Sequence, residues 1–201
     1  MRELATKTQE IYERNAQAFC RQRNKSLFEK PWIDRFLSLI PRGGTILDVG
    51  CGTGEPIATY MIEQQYKIVG VDFSKNMLAI AGNKHPEQTW IYMDMRMLEL
   101  KNQYEGLISW GAFFHLTPCE QHNTLVRFVQ HLLPKGVLLL TVGHERGEVI
   151  GTVHGEPVYH SSLSIDEYKE ILQQHQCQLL DFVPQDPQCQ EHSILLAQKL
   201  S

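Results

Sequence analysis

The spacing of apolar residues along the chain changes near residue 45. In residues 3–30 the larger apolar side chains recur at seven- and eight-residue steps among charged and amide side chains. This spacing predicts a helix with a narrow apolar stripe, which suits a helix lying over another part of the molecule. The stripe consists of Leu4, Ile11, Tyr12, Phe19 and Leu27. A fuller helical spacing from Trp32 to Ile40 predicts a second helix, which Pro41 to Gly44 ends.

Beyond residue 44, short apolar segments alternate with segments of helical pattern. Near-continuous apolar strands that alternate with helices are typical of a parallel sheet buried on both faces. The predicted strands are 45–50, 67–72, 89–94, 105–111 and 136–143.

Two later helices have readable starts. Thr117 precedes Glu120 by three residues, and Ser164 precedes Glu167 by the same spacing, so each pair predicts a capping box. The second of these helices is expected to run to about residue 175. After it come two apolar segments, 177–185 and 192–200, joined by a short loop. So short a connection requires antiparallel pairing, which predicts a C-terminal hairpin.

Composition narrows the class of protein. A chain of 201 residues is expected to form one globular domain. Its net charge of −4 argues against a nucleic-acid partner, since such binding depends on clustered Lys and Arg. The N-terminus is too polar for a secretory signal, and no apolar run reaches membrane-spanning length. With five scattered cysteines, a cytoplasmic protein without a membrane partner is expected.

The segment ILDVGCGTGEP, residues 46–56, carries three alternate glycines between a predicted strand and a helix. Such glycines bring backbone amides and a helix N-terminus close to a ligand. Asp72 lies about 20 residues further on, at the end of the next strand, where a carboxylate can accept ribose hydroxyls. Both features fit NAD as well as S-adenosylmethionine. Glu55 opposes a dinucleotide, because that fingerprint places Gly or Ala there, against the pyrophosphate.

Four segments in order resemble the motifs of the class I S-adenosylmethionine-dependent methyltransferases of the small, single-domain type. They are ILDVGCGTGEP, VGVDFSKNML, WIYMDMRML and YEGLISWGAFFHL. The resemblance implies a single doubly wound α/β Rossmann-like domain, with a mostly parallel seven-stranded sheet and a C-terminal antiparallel hairpin. Residues 1–40 would be a helical cover, 45–143 the cofactor-binding core, and 144–201 a substrate-side loop, the last helix and the hairpin.

The same resemblance implies S-adenosylmethionine as cofactor, with S-adenosylhomocysteine as product. The implied cofactor-binding residues are Asp48, Gly50, Gly52, Gly54, Asp72, Phe73, Met77, Asp94, Met95, Ser109 and Trp110. The glycines would line the methionine and ribose, with Asp48 near the amino group and Asp72 on the ribose hydroxyls. Ser109 and Trp110 would lie beside the transferred methyl.

The adenine would be held by the second and third motifs. Phe73 and Met77 would pack near the ring, Asp94 would accept its exocyclic amine, and Met95 would supply a backbone amide. Ordinary core packing remains open for Met77, which shares an apolar helix face with its neighbours. Asp94 has a structural alternative too, in which its carboxylate is bonded to nearby amides.

The requirements of methyl transfer do not by themselves identify a catalytic residue. Methyl transfer needs alignment and exclusion of water, and a base only where the acceptor holds its proton firmly. His115, just beyond the fourth strand, is the candidate base, and its alternative is packing with a bond to a backbone carbonyl. Tyr12, Tyr159 and His160 are candidates to close over the acceptor, against the alternative that they face solvent.

No metal site is expected. His144, His154 and His160 follow no established ligand spacing. The function indicated is methyl transfer to a small-molecule oxygen, nitrogen or sulfur, among which the sequence does not choose. The alternatives are a non-catalytic S-adenosylmethionine-binding partner or sensor, and a nicotinamide-dependent oxidoreductase. The oligomeric state is not indicated.

Overall fold

The computed structural model describes residues 2–153 and 155–201, without the side chains of residues 2–4 and 6. Two residues named above therefore lie outside the description: His154, and Leu4 as far as its side chain is concerned.

Six α-helices and nine strands make up the described chain. The helices are α1 (Arg2–Gln22), α2 (Lys30–Ser38), α3 (Ile57–Glu63), α4 (Lys75–Lys84), α5 (Pro118–Gln130) and α6 (Ile165–Gln174). The strands are β1 (Thr45–Val49), β2 (Lys67–Asp72), β3 (Thr89–Tyr92), β4 (Tyr104–Ser109), β5 (Leu132–Val142), β6 (Gly147–Val153), β7 (Glu156–Ser162), β8 (Cys177–Asp186) and β9 (His192–Lys199).

Seven of the strands pair into one sheet in the order β3-β2-β1-β4-β5-β9-β8. The first five are parallel, whereas β9 runs antiparallel to both β5 and β8. The doubly wound, mostly parallel sheet and its terminal hairpin are thereby confirmed. The strand order reverses between β1 and β4, and the crevice at such a reversal is where open α/β sheets bind ligands.

Each face of the sheet is covered by its own apolar core. Along β5 the buried side chains alternate: Leu138 and Leu140 join a core with α5 and α6, while Val137 and Leu139 join one with α2 and α3. This explains the near-continuous apolar strands in the sequence, because both faces exclude water.

The helix starts agree with the sequence. The capping box of Thr117 and Glu120 is present at α5, and that of Ser164 and Glu167 at α6. In each, the hydroxyl accepts from the backbone amide three residues on, and the glutamate accepts from the capping amide in return. Both predictions are confirmed.

One segment differs from the expectation. Residues 144–162, expected as a substrate-side loop, contain β6 and β7, which pair into a separate two-stranded antiparallel sheet. The apolar pattern did not reveal it because β6 has no fully buried face: Val149 and Ile150 are 61% and 57% exposed. Gly155, at φ 78°, supplies part of the turn.

Helix α1 lies between this small sheet and α4 and is held at both sides. On one side the Glu13 carboxylate accepts from the Ser74 hydroxyl and the Asn76 amide at the start of α4. On the other, Arg14 and Asn15 donate to Glu156 on β7. The helix predicted to cover the molecule therefore crosses the carboxyl ends of the strands.

Candidate active site

A cavity of about 270 Å³ lies under α1, at the carboxyl ends of β1, β2 and β4. Its floor is the glycine loop after β1, and its roof is the inner face of α1. The sequence-predicted residues that line it are Tyr12, Asp48, Gly50, Gly52, Gly54, Asp72, Phe73, Met77, Asp94, Met95, Trp110 and His115. Most of the predicted residues are thus brought together on one surface.

The glycine loop has a backbone that other residues adopt only at a cost. Gly50, Gly52 and Gly54 have φ values of 76°, 53° and 75°, in the left-handed region that favours glycine. A Cβ on Gly50 would lie 2.3 Å from the Cβ of Ala112. At Gly52 nothing lies within 4 Å of such a Cβ, so the backbone there is open for a ligand to approach.

Two buried carboxyl groups lie on the cavity wall. Asp72 accepts from the amides of Gly52, at 2.9 Å, and Ser74, at 2.8 Å. Burial raises the pKa of Asp72 to about 6, although these amide bonds act to lower it. Burial, together with the charge of Asp72, raises the pKa of Asp48 to about 7. The pair makes the floor a place where positive charge on a ligand is favourable.

His115 is fixed by hydrogen bonds at both ring nitrogens. Nδ1 lies 3.0 Å from the carbonyl oxygen of Tyr159, which can only accept, so Nδ1 carries the proton. Nε2 lies 3.0 Å from the Tyr12 hydroxyl. Burial lowers the pKa of His115 to about 4, so the ring is neutral at pH 7 and Nε2 accepts from Tyr12. Burial and the charge of Asp72 raise the pKa of Tyr12, which keeps its proton.

The comparisons with known proteins agree with this geometry. A family model described as a methyltransferase domain matches residues 46–136, which contain the glycine loop and both carboxyl groups. This segment runs from β1 into β5 and is somewhat less than half of the chain, and over it the chain is similar to a methyltransferase domain.

A curated relative is the dTDP-3-amino-3,6-dideoxy-alpha-D-glucopyranose N,N-dimethyltransferase of Streptomyces fradiae. It is 30% identical over 102 residues, which are 50% of this chain and 40% of that protein. The matched region therefore spans less than half of the relative's length.

Two solved structures share the fold over nearly the whole chain. One is the 1,6-didemethyltoxoflavin-N1-methyltransferase of Burkholderia thailandensis, with its substrate and S-adenosylhomocysteine bound. Its TM-score is 0.76 at 18% identity, covering 100% of this chain and 90% of that chain. The other is CalS10, an amino pentose methyltransferase of Micromonospora echinaspora with bound S-adenosylmethionine. Its TM-score is 0.71 at 19% identity, covering 91% and 95%.

Asp94, which also lines the cavity, already has a partner. Its carboxylate accepts both from the guanidinium of Arg96 and from the backbone amide of the same residue. Arg96 in turn donates to Glu120 on α5. Met77 is only 1% exposed, so it belongs to the core as well as to the cavity wall. The structural alternatives for these two residues, a carboxylate bonded to a backbone amide for Asp94 and core packing for Met77, are thus both present.

Three predicted residues lie behind the cavity wall. Ser109 is fully buried, and its hydroxyl donates to the carbonyl of Val49 at 2.7 Å, which ties β4 to β1. Tyr159 is 1% exposed, and its backbone carbonyl orients His115. The ring of His160 packs edge-on against His115 with centroids 4.8 Å apart. None of these three residues is among those that line the cavity, and their contacts with cofactor or acceptor stay predictions.

Phe19, Arg23, Thr53 and His192 are among the lining residues that the sequence reasoning missed. Phe19 was noticed only as part of the stripe on α1. Thr53 lies inside the glycine motif, and its Oγ1 is buried with no hydrogen-bond partner among the described residues. Trp110 Nε1 is in the same situation, and its ring stacks on His192 at 5.8 Å. Arg23 and His192 come from opposite ends of the chain, so no local pattern could join them.

No group of three or more His, Cys, Asp or Glu residues is arranged to hold a metal ion within residues 2–153 and 155–201. In the same residues, no helix combines the length and apolarity that crossing a membrane requires.

Proposed function

We propose that the chain transfers a methyl group from S-adenosylmethionine to a small-molecule acceptor that bears an N–H or O–H group. The observation that carries this proposal is the placement of two buried carboxyl groups, Asp48 and Asp72, beside an open glycine loop under a cover helix. A cationic ligand that carries a ribose and no phosphate suits this combination. Glu55 adds negative charge at the end of the loop, although Lys25 and Lys84 pair with it.

The donor set fits the proposed cofactor. Asp48 would hold the amino group, Asp72 the ribose hydroxyls, and Phe73 and Met77 the adenine. Thr53 Oγ1 and Trp110 Nε1 are donors without a partner among the described residues, and both residues line the cavity, as Arg23 does. An α-carboxylate is a group that accepts from such donors.

The cofactor supplies an electrophilic methyl on a sulfonium, and the chain supplies the surroundings. Helix α1 shields the cavity from water, which strengthens every electrostatic interaction inside it. As the acceptor's lone pair takes the methyl, the acceptor must lose a proton. His115 is the proposed final proton acceptor: its Nδ1–H is held by the Tyr159 carbonyl, so its free lone pair is on Nε2, which faces the Tyr12 hydroxyl. Tyr12 is the proposed relay: it gives its proton to Nε2 while its oxygen takes the proton that the acceptor loses.

The relatives support small acceptors without identifying this one. The Streptomyces fradiae protein is named for an amino sugar, and the Burkholderia thailandensis structure contains 1,6-didemethyltoxoflavin. Both are small molecules. The division of residues 1–201 into cover, core and substrate-side region, and a cytoplasmic location, belong to the same proposal.

Ligand binding is the first experiment. Titration calorimetry with S-adenosylhomocysteine and with NADH should show binding of the first and none of the second, and the reverse result would overturn the proposal. Incubation with labelled S-adenosylmethionine and a metabolite extract should then transfer label to a small molecule. Binding without any transfer would instead favour the sensor alternative.

His115→Asn tests the proposed base once an acceptor is found. Turnover should fall about 100-fold, the usual worth of a general base, while the Kd for S-adenosylhomocysteine stays within about 2-fold. His131→Asn is the matched control, because His131 is also bonded at both nitrogens, to the Arg127 carbonyl and the Leu100 amide, but lies off the cavity. Equal losses in both variants would remove His115 from the mechanism.

A further inference from the structure

The side chain of Glu29 is a buried carboxylate that the proposed reaction does not use. Glu29 is 0% exposed and stands immediately before α2. Its Oε1 accepts from the guanidinium of Arg23. Its Oε2 has no hydrogen-bond partner among the described residues. Burying a carboxylate in this way is costly even when it is paired, so its presence calls for a reason beyond stability.

Arg23 is placed by this pair. It is the first residue after α1, and its backbone amide still donates to the Phe19 carbonyl at 2.8 Å. Its guanidinium also lies over the ring of Phe28, 5.7 Å from the centroid. With the carboxylate on one side and the ring on another, the guanidinium has little freedom to turn towards solvent.

The position of Glu29 is itself fixed by the core. Its carbonyl accepts from the amides of Trp32 and Ile33 in the first turn of α2, and both side chains are buried. The ion pair of Arg23 and Glu29 therefore connects the guanidinium of a cavity residue to α2, which is anchored in the apolar core. A long side chain held in this way loses less conformational entropy when it binds a ligand.

Three residues with hydrogen-bond donors line the cavity: Arg23, Thr53 and Trp110. Thr53 Oγ1 and Trp110 Nε1 are buried and have no partner among the described residues. A single cation paired to a glutamate would not need two neutral donors in the same cavity. A ligand carboxylate would use all three, because each of its oxygens accepts two hydrogen bonds.

We infer that Glu29 is a positioning residue, which holds Arg23 at the cavity wall to receive the α-carboxylate of the cofactor. This inference rests on the proposed function, because it assumes a ligand with an amino acid end. Glu29 itself touches no ligand. Its effect is confined to the contacts that Arg23 makes, and the adenosine end of the site is independent of it.

The test compares two ligands on the intact protein. S-adenosylhomocysteine has the amino acid end, and 5′-methylthioadenosine has the same adenosine and thioether without it. By calorimetry, Glu29→Gln should weaken the binding of S-adenosylhomocysteine about 10-fold, which is what one charge-assisted hydrogen bond contributes. The Kd for 5′-methylthioadenosine should stay within about 2-fold. Asp181→Asn is the matched control, since it breaks the Arg35 to Asp181 pair away from the cavity and should change neither affinity.

A second variant keeps the test valid if Glu29→Gln does not fold. Glu29→Asp retains the charge on a shorter arm and should give a smaller loss of the same kind, for S-adenosylhomocysteine alone. Equal weakening of both ligands, or of neither, would overturn the positioning role while leaving the proposed function intact. A wild-type protein that binds neither ligand would overturn the proposed function and this inference together.

Discussion

Binding of the cofactor should release protons, because Asp48 is buried in a carboxyl pair. Its pKa is raised from 3.8 to about 7, first by burial and then by the charge of Asp72, whose own pKa is about 6. Below pH 7 most Asp48 side chains in the free protein are therefore protonated and neutral. An ammonium group beside Asp48 favours the ionised form, so the bound state must give up that proton.

The magnitude follows from the two pKa values. At pH 6 only about one Asp48 in ten is ionised in the free protein, so affinity should be about 10-fold lower than at pH 8. Asp72 is then about half ionised and adds a factor of about 2, for roughly 20-fold in all. In energy this is about 1.8 kcal/mol.

Calorimetry with S-adenosylhomocysteine between pH 5.5 and 8, in buffers of different ionisation enthalpy, measures both the Kd and the protons released. About 1.4 protons should be released near pH 6, roughly 0.9 from Asp48 and 0.5 from Asp72. Asp48→Asn should bind more weakly at pH 8 and lose most of the pH dependence. With 5′-methylthioadenosine, which has no ammonium, only the smaller Asp72 contribution should remain. A wild-type Kd that is flat from pH 6 to 8, with no proton exchanged, would refute the reasoning.

The raised pKa of Asp48 also predicts how stability changes with pH, and the change has the opposite sign to that expected for a carboxylate in an ion pair. Because the folded pKa of Asp48 is raised, the free folded protein binds a proton between about pH 4 and 7 that the unfolded chain does not. Its contribution to stability is thus present at low pH and lost as the pH rises through 7. At pH 8, Asp48→Asn should raise the free energy of unfolding by up to about 4 kcal/mol, seen as a higher Tm.

Four further substitutions separate structural from ligand-contacting positions. Gly50→Ala should lower the free energy of unfolding, measured in urea, by about 3 kcal/mol or more, since its Cβ would overlap Ala112. Gly52→Ala should lower it by only about 1 kcal/mol but weaken the binding of S-adenosylhomocysteine. Ser109→Ala should cost about 1–3 kcal/mol, because it leaves a buried carbonyl unpaired, with an unchanged Kd at pH 8 as the check that this residue is structural. Thr117→Ala should lower the free energy of unfolding by about 1 kcal/mol, because the cap of α5 is lost. A loss below about 0.3 kcal/mol from the urea midpoint, roughly the measurement error, would contradict that role.

Several features of this protein were determined by short segments of the sequence. The core strands are near-continuous apolar runs, so their number and parallel arrangement were readable before the fold was known. The capping boxes at Thr117 and Ser164 are local hydrogen-bond patterns within three residues, and both are present. The glycine loop was readable for the same reason, because its conformation depends on the residues in it.

Other features depend on which distant side chains meet. The β6–β7 hairpin escaped notice because its pattern lacks a buried face, and its place beside α1 is set by Glu156 pairing with Arg14. Ser109 and Trp110 are neighbours at the end of β4, yet only Trp110 reaches the cavity, because successive strand residues point to opposite sides.

The electrostatics of the site depend on the tertiary structure. The sequence by itself placed Asp48, Asp72 and His115 at strand ends, which gave their chemistry but not their ionisation. Only the tertiary structure buries them together, and burial moves their pKa values into or out of the physiological range. It alone brings Glu29 to Arg23 and Arg23 to the cavity, because these contacts depend on how the end of α1 packs rather than on any repeat or motif.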